Sequence, residues 1–188
     1  MMALIGALVF ALLVAPAMKG RLSSLSGVRF RYEFLLPIGL LLQVVPRQVF
    51  SYLERGDIGA IALFSWLAGG FVLLLACLLN WKYVGCRLVA LGVALNGLTI
   101  VLNRGMPVAA DSLEYLGLTQ TDQQLDALTP LYHLSDGDTL LGVLGDVIPV
   151  PGPQLVQSVV SLGDLLLMVG IVVIVLDGAN ALLRVRAS

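Results

Sequence analysis

From Ile58 to Leu79 no side chain carries a charge, and four further stretches, Met1–Met18, Phe34–Leu53, Val84–Leu102 and Val156–Leu183, are apolar with few interruptions. Once such runs leave water, every backbone N–H and C=O must be paired within the segment, and a helix does that. At about 1.5 Å per residue, runs of roughly 17–25 residues cross a hydrocarbon layer. The expected fold class is therefore an all-α integral membrane protein with five transmembrane helices and an extracytoplasmic loop segment between helices 4 and 5. Residues 1–102 form a four-helix transmembrane region, 103–157 the polar loop, and 158–188 the fifth helix with a cytoplasmic tail.

Composition agrees with that class and excludes others. The chain is 59% hydrophobic and only 12% charged, with a mean hydropathy of +0.97, against about a quarter charged in soluble domains. The expected partners are the lipid bilayer and a membrane protein. A net charge of −1 offers no basic field for nucleic acid. Cys77 and Cys86 sit in or beside apolar helix, where a disulfide framework is not expected, and read as free structural thiols.

The connectors set the orientation. Lys19, Arg21, Arg29 and Arg31 follow the first run, Trp81, Lys82, Tyr83 and Arg87 flank the third, and Arg184 and Arg186 follow the fifth. With five spans these clusters fall on one side, which the positive-inside rule makes cytoplasmic. The chain is expected in the plasma (inner) membrane, multi-pass, with its N-terminus outside and its C-terminus in the cytoplasm. No Lys or Arg precedes Met1–Met18, so it reads as a retained helix rather than a secretory signal, despite the small residues at Ala15 and Ala17.

Within the helices a few residues stand out. Pro37 and Pro46 free backbone carbonyls that neighbours must satisfy. Ser65 and Gly69 make a small-residue contact face. Gly92, Asn96, Thr99 and Asn103 recur at spacings that share one helix face, which must point into the bundle. Gly163, Gly170 and Asp177 share another, with Ser161 and Asp164 beside it.

The polar segment carries NRGMPV at Asn103–Val108, a lone His133, DGDT at Asp136–Thr139, LGDVIPVP at Leu144–Pro151 and SLGD at Ser161–Asp164. Ala109–Leu128 is expected to form short surface helices. The Gly and Pro residues after Pro130 force turns, and LGDVIPVP reads as a re-entrant or interfacial hairpin. An Asp-x-Asp-x-Thr phosphatase motif is set aside because no apolar strand precedes DGDT.

This ordered set resembles a bacterial membrane family of unknown function, domain-of-unknown-function family five-three-one-seven. Its members carry Asn-Gly-Gly-x-Met-Pro-Val, a His, Leu-Gly-Asp-x-Ile-Pro and Ser-x-Gly-Asp in this order. Arg104 stands at the family's first glycine. The resemblance implies the architecture and the candidate positions, and no activity.

Three functions stay open. The first is a noncatalytic accessory or assembly component whose polar motifs fasten the loop to the bundle, with Asp146 and Asp164 both accepting hydrogen bonds from backbone amides, Asn103 or Ser161. The second is an intramembrane aspartyl hydrolase with an Asp146/Asp164 dyad, loosely similar to the lipoprotein signal peptidases, although that family's Gly-Asn-x-x-Asp-Arg and Asn-x-Ala-Asp motifs are absent. The third is a small-ligand or ion site drawn from Asn96, Asn103, His133, Asp136, Asp138, Thr139, Ser161 and Asp164. Arg47 is the candidate counter-ion for Asp146 or Asp164. No complete metal signature is present, and no cofactor is implied.

Overall fold

The structure, a computed structural model, describes residues 30–50, 58–118, 131–153 and 157–185. Its long helices are α1 (Leu35–Phe50), α2 (Ile58–Leu79), α3 (Val84–Asn103) and α5 (Leu162–Val185), with a short α4 (Ala110–Tyr115) in the polar segment. Contacts run from α1 to α2, from α2 to α3 and from α3 to α5. The fold is mostly helical with two small sheets. Among the described residues, Val84–Asn103 is long and apolar enough to cross a membrane, and Leu63–Leu79 and Leu162–Leu176 are shorter apolar stretches. The described helices do not by themselves support five spans, and the first apolar run, Met1–Met18, lies outside the described residues.

Helix α2 is apolar on all sides, not along one stripe, which removes any solvent-facing side. Its outward surface bears Phe64, Phe71 and Leu78, with Phe64 75% exposed. Polar side chains turn inward instead. Ser65 is buried and donates its hydroxyl to the Leu42 carbonyl of α1 at 2.6 Å. That carbonyl is the one Pro46, four residues on and lacking an N–H, cannot serve. The serine satisfies the acceptor that the proline leaves open.

Asn80 ends α2 and ties down the preceding connector. Its amide donates to the Ala76 carbonyl (2.8 Å) and the Arg31 carbonyl (3.0 Å), and its oxygen accepts the Arg31 N–H (2.8 Å). Phe30 and Tyr83 pack at 5.3 Å between ring centroids. The two basic connectors around Arg31 and Lys82–Arg87 consequently share one end of the helices.

The polar segment has its own small apolar centre, Val108 and Leu113 with Leu118, Tyr132, Leu134 and Val159. Strand β1 (Met106–Val108) pairs in parallel with β2 (Tyr132–Leu134), placing Pro107 opposite His133. Strand β3 (Ile148–Val150) pairs antiparallel with β4 (Ser158–Val160), placing Ile148 opposite Val160. LGDVIPVP therefore supplies one strand of an antiparallel pair whose other strand, Ser158–Val160, lies beyond it, rather than a hairpin of its own. The last helix starts at Leu162, later than Val156, because Ser158–Val160, with its two β-branched valines, is held by strand pairing. Of the surface helices expected in Ala109–Leu128, Ala110–Tyr115 forms, and 119–130 lie outside the described residues.

Candidate functional site

Helices α3 and α5 approach so closely that glycine is the residue that fits at the crossings. A Cβ on Gly92 would lie 2.5 Å from the Gly163 carbonyl oxygen, and one on Gly85 would lie 2.5 Å from that of Gly170. Both pairs are seven residues apart and run in opposite directions, as an antiparallel pair with a heptad seam requires. One turn beyond Gly92 the seam becomes polar. Asn96 Nδ2 donates to Asp164 Oδ1 at 2.9 Å, and Asn96 Oδ1 accepts the Ser161 hydroxyl at 2.9 Å.

Ser161 is also the N-cap of α5. Its Oγ accepts the Asp164 N–H at 2.9 Å, while its own N–H makes a long 3.4 Å contact with Asp164 Oδ2. SLGD is thus a capping box with Asp as the third helical residue, satisfying orphan N–H groups at both ends of the motif. Ser161 and Thr99 are 0% exposed. Thr99 turns its hydroxyl back to the Leu95 carbonyl at 3.0 Å.

At the C-terminal end of α3, Asn103 clamps the polar segment. Its side-chain oxygen accepts the Leu140 N–H and its amide donates to the Leu140 carbonyl, both at 2.8 Å. The chain then leaves the helix through Arg104 in the left-handed conformation (φ 57°), and the Arg104 and Gly105 N–H groups both reach the Ile100 carbonyl. That position favours glycine, since a Cβ costs energy there.

Asp146 is held by its backbone. Its N–H donates to the Pro107 carbonyl and its carbonyl accepts the Ala109 N–H, both at 2.9 Å, forming a parallel bridge on the side of β1 away from β2. The side chain is buried at 7% exposure, and its Oδ1 has no hydrogen-bond partner among the described residues. Burial, reinforced by the nearby charge of Asp164, pushes the Asp146 carboxyl well above the ordinary carboxylate range. Of the two carboxylates expected to accept hydrogen bonds, Asp164 does so through its side chain, and the Asp146 contacts seen are those of its backbone.

The expected ligand set does not converge. Asn96, Ser161 and Asp164 meet at the helix pair, and Asn103 turns to Leu140. Asp136, Asp138 and Thr139 form a separate turn, in which the Asp138 N–H and the Thr139 hydroxyl donate to Asp136 Oδ1 at 3.0 Å. These bonds hold the Asp136 carboxyl below the ordinary range. A strand, β2, does precede DGDT, contrary to the sequence expectation, but the turn consumes one oxygen of its first carboxylate. His133 lies half-buried in β2. The Arg47 and Asp177 side chains lie outside the described residues. Among the described residues no three His, Cys, Asp or Glu side chains gather as a metal would need. Asn80 was missed, and its signal was an amide directly after a long apolar helix, the position of a C-cap.

A mostly helical chain, with a polar network closing one helix pair and a strand-stitched segment anchored above it, is the class these features define. Residues 27–176 match the model of a family of unknown function, DUF5317, and the chain belongs to that family. No curated protein and no solved structure matches it.

Proposed function

We propose that the protein is a noncatalytic component of the inner membrane, spanning it five times with the N-terminus outside, whose polar motifs fasten the outer segment 103–157 onto the α3–α5 pair and present it to a membrane-protein partner. One observation carries this: polarity is inverted. Apolar side chains such as Phe64, Phe71, Leu91 and Val101 face outward, while Ser65, Asn80, Asn96, Thr99 and Ser161 are buried, an arrangement that suits lipid rather than water. The inward groups are moreover spent on one another and on backbone, the use expected of fasteners rather than reagents. The shared end of the two basic connectors supports the orientation.

Single cysteines at Ser24 and Asp122, in a background lacking Cys77 and Cys86, test the topology. An impermeant thiol reagent applied to intact cells is expected to label position 122 and spare position 24; the reverse pattern ends the proposal. Affinity purification in mild detergent tests the role, with a stoichiometric membrane-protein partner as the expected result.

A second reading, an intramembrane aspartyl hydrolase, draws on the unpartnered Asp146 oxygen and the charge of Asp164 close by. Two carboxyl groups near each other, one of them holding its proton more tightly, are the pairing such chemistry uses. Saturable binding of a peptide with a non-cleavable tetrahedral hydroxyl core, lost in Asp146→Asn, would favour it.

A further inference from the structure

A cavity of about 360 Å³ lies between α1, α2, α3 and α5. On α3 its wall is Cys86, Val89, Val93, Asn96 and Ile100, an unbroken run of three- and four-residue steps. On α5 the corresponding stripe is Asp164, Leu167, Ile171 and Ile174. These faces pack against each other along the helix pair and also border the open volume toward α1 and α2. Helical interiors are otherwise close-packed, and a void of this size lies within the range of about 300–1,000 Å³ typical of ligand sites.

The shape and polarity of the cavity define the occupant. From Cys86 to Ile100 the wall extends about 21 Å along the helix axis, long and narrow enough for one hydrocarbon chain. Toward its Ile100 end, about 15 Å from the level of Cys86, the lining turns polar at Gln43, Asn96 and Asp164. Asn96 already serves Ser161 with its amide oxygen and Asp164 with its amide nitrogen, which leaves it one N–H and one lone pair and no net charge. Asp164 differs. One oxygen accepts Asn96, the other has only the long 3.4 Å contact with Ser161 N–H, and a carboxylate has about four acceptor sites. It is the one acidic side chain among the described lining residues. An acceptor with open lone pairs, facing an apolar tube, is complementary to a cationic donor.

We infer that the cavity binds a single-chain amphiphile with a protonated amine head, its tail along the α3–α5 wall and its ammonium group donating to Asp164. This goes beyond the component role, and its test does not depend on topology. A fatty acid, the same tail with an anionic head, is disfavoured by charge at the same position.

Trp66 lines the cavity and Trp81 is exposed near the basic connectors, so a Trp81→Phe protein reports from the cavity alone. Full-length protein in phosphatidylcholine nanodiscs is titrated with brominated dodecylamine and, separately, brominated dodecanoic acid, following quenching of Trp66. The amine is expected to quench saturably and to bind about tenfold tighter than the acid, the scale of one charge-assisted hydrogen bond. Asp164→Asn is expected to erase that preference, and Val93→Phe, which fills the wall, to weaken both ligands. Should Asp164→Asn fail to accumulate, Val93→Phe and the amine-to-acid ratio still decide. Equal quenching by both ligands, quenching no greater than in a Trp66→Phe protein that keeps Trp81, or full binding in Val93→Phe overturns the inference.

Discussion

The α1–α2 and α3–α5 pairs solve the same packing problem with different means. Both use glycine where backbones cross: a Cβ on Gly69 would lie 2.6 Å from the Gly39 carbonyl oxygen, much as at Gly92 and Gly163. The first pair adds one serine hydroxyl to a proline-freed carbonyl, while the second adds a second glycine crossing and the Asn96–Ser161–Asp164 network. Chain connectivity accounts for the difference. Residues 51–57 join α1 to α2, whereas 104–161 separate α3 from α5, a connection roughly eight times longer. Three doublings of loop length cost about 2 kcal/mol more in closure entropy, comparable with one or two buried hydrogen bonds. The distant pair carries the additional fastening it needs.

The largest test of that contrast is Gly163→Ala, which drives a methyl group into Asn96 and the Gly92 carbonyl. A loss of about 3 kcal/mol is expected, seen as a lower melting temperature and poor accumulation, against about 1–2 kcal/mol for Gly69→Ala. A greater loss at Gly69 would break the ranking. Next comes the polar contribution. Asn96→Leu strands Ser161 and Asp164 and is expected to cost about 2–3 kcal/mol, whereas Ser65→Ala strands one carbonyl and costs about 1 kcal/mol, both by thermal unfolding.

A further test uses pH. A carboxyl whose pKa is raised by folding binds its proton more tightly in the fold than in the unfolded chain. The stability it confers is full below the unfolded value of about 3.9 and declines as pH rises toward the raised folded value. Asp146→Asn should remove that decline, so that the variant loses less melting temperature than the parent between acidic and neutral pH. Parallel curves would show that Asp146 does not titrate in this window. The smallest effects should be gains: Arg104→Gly, relieving the left-handed backbone, and Gly97→Ala, where a Cβ meets nothing within 4 Å, are each expected to add about 0.5–1 kcal/mol.

Legibility in the sequence tracked how local each interaction is. Apolar runs set the helices, with Ile58–Leu79 recovered at both ends. The Pro46 break and Ser65 were each visible, but not that they meet, because this depends on how α1 and α2 register. Asn96 and Asn103 shared a face as read, and only the structure distinguishes their partners, one 68 residues away and the other 37. Strands β1 to β4 were missed because three-residue pairings leave too few residues for an alternating pattern. The unpartnered oxygen of Asp146 had no sequence signal, since burial there comes from three separate segments meeting around β1.

The separation between Asn96 and Asp164 has a temporal side as well. Translation adds about 5–20 residues per second, so α3 leaves the ribosome roughly 3–14 s before the carboxylate that completes its network. For that interval the amide of Asn96 must find some temporary partner, whether water, lipid headgroup or another protein. A nascent chain halted between residues 145 and 160 would hold α3 in that half-finished condition, and a factor that shields unpaired polar groups on new apolar helices would crosslink to position 96 there and release it once the finished chain is freed from the ribosome.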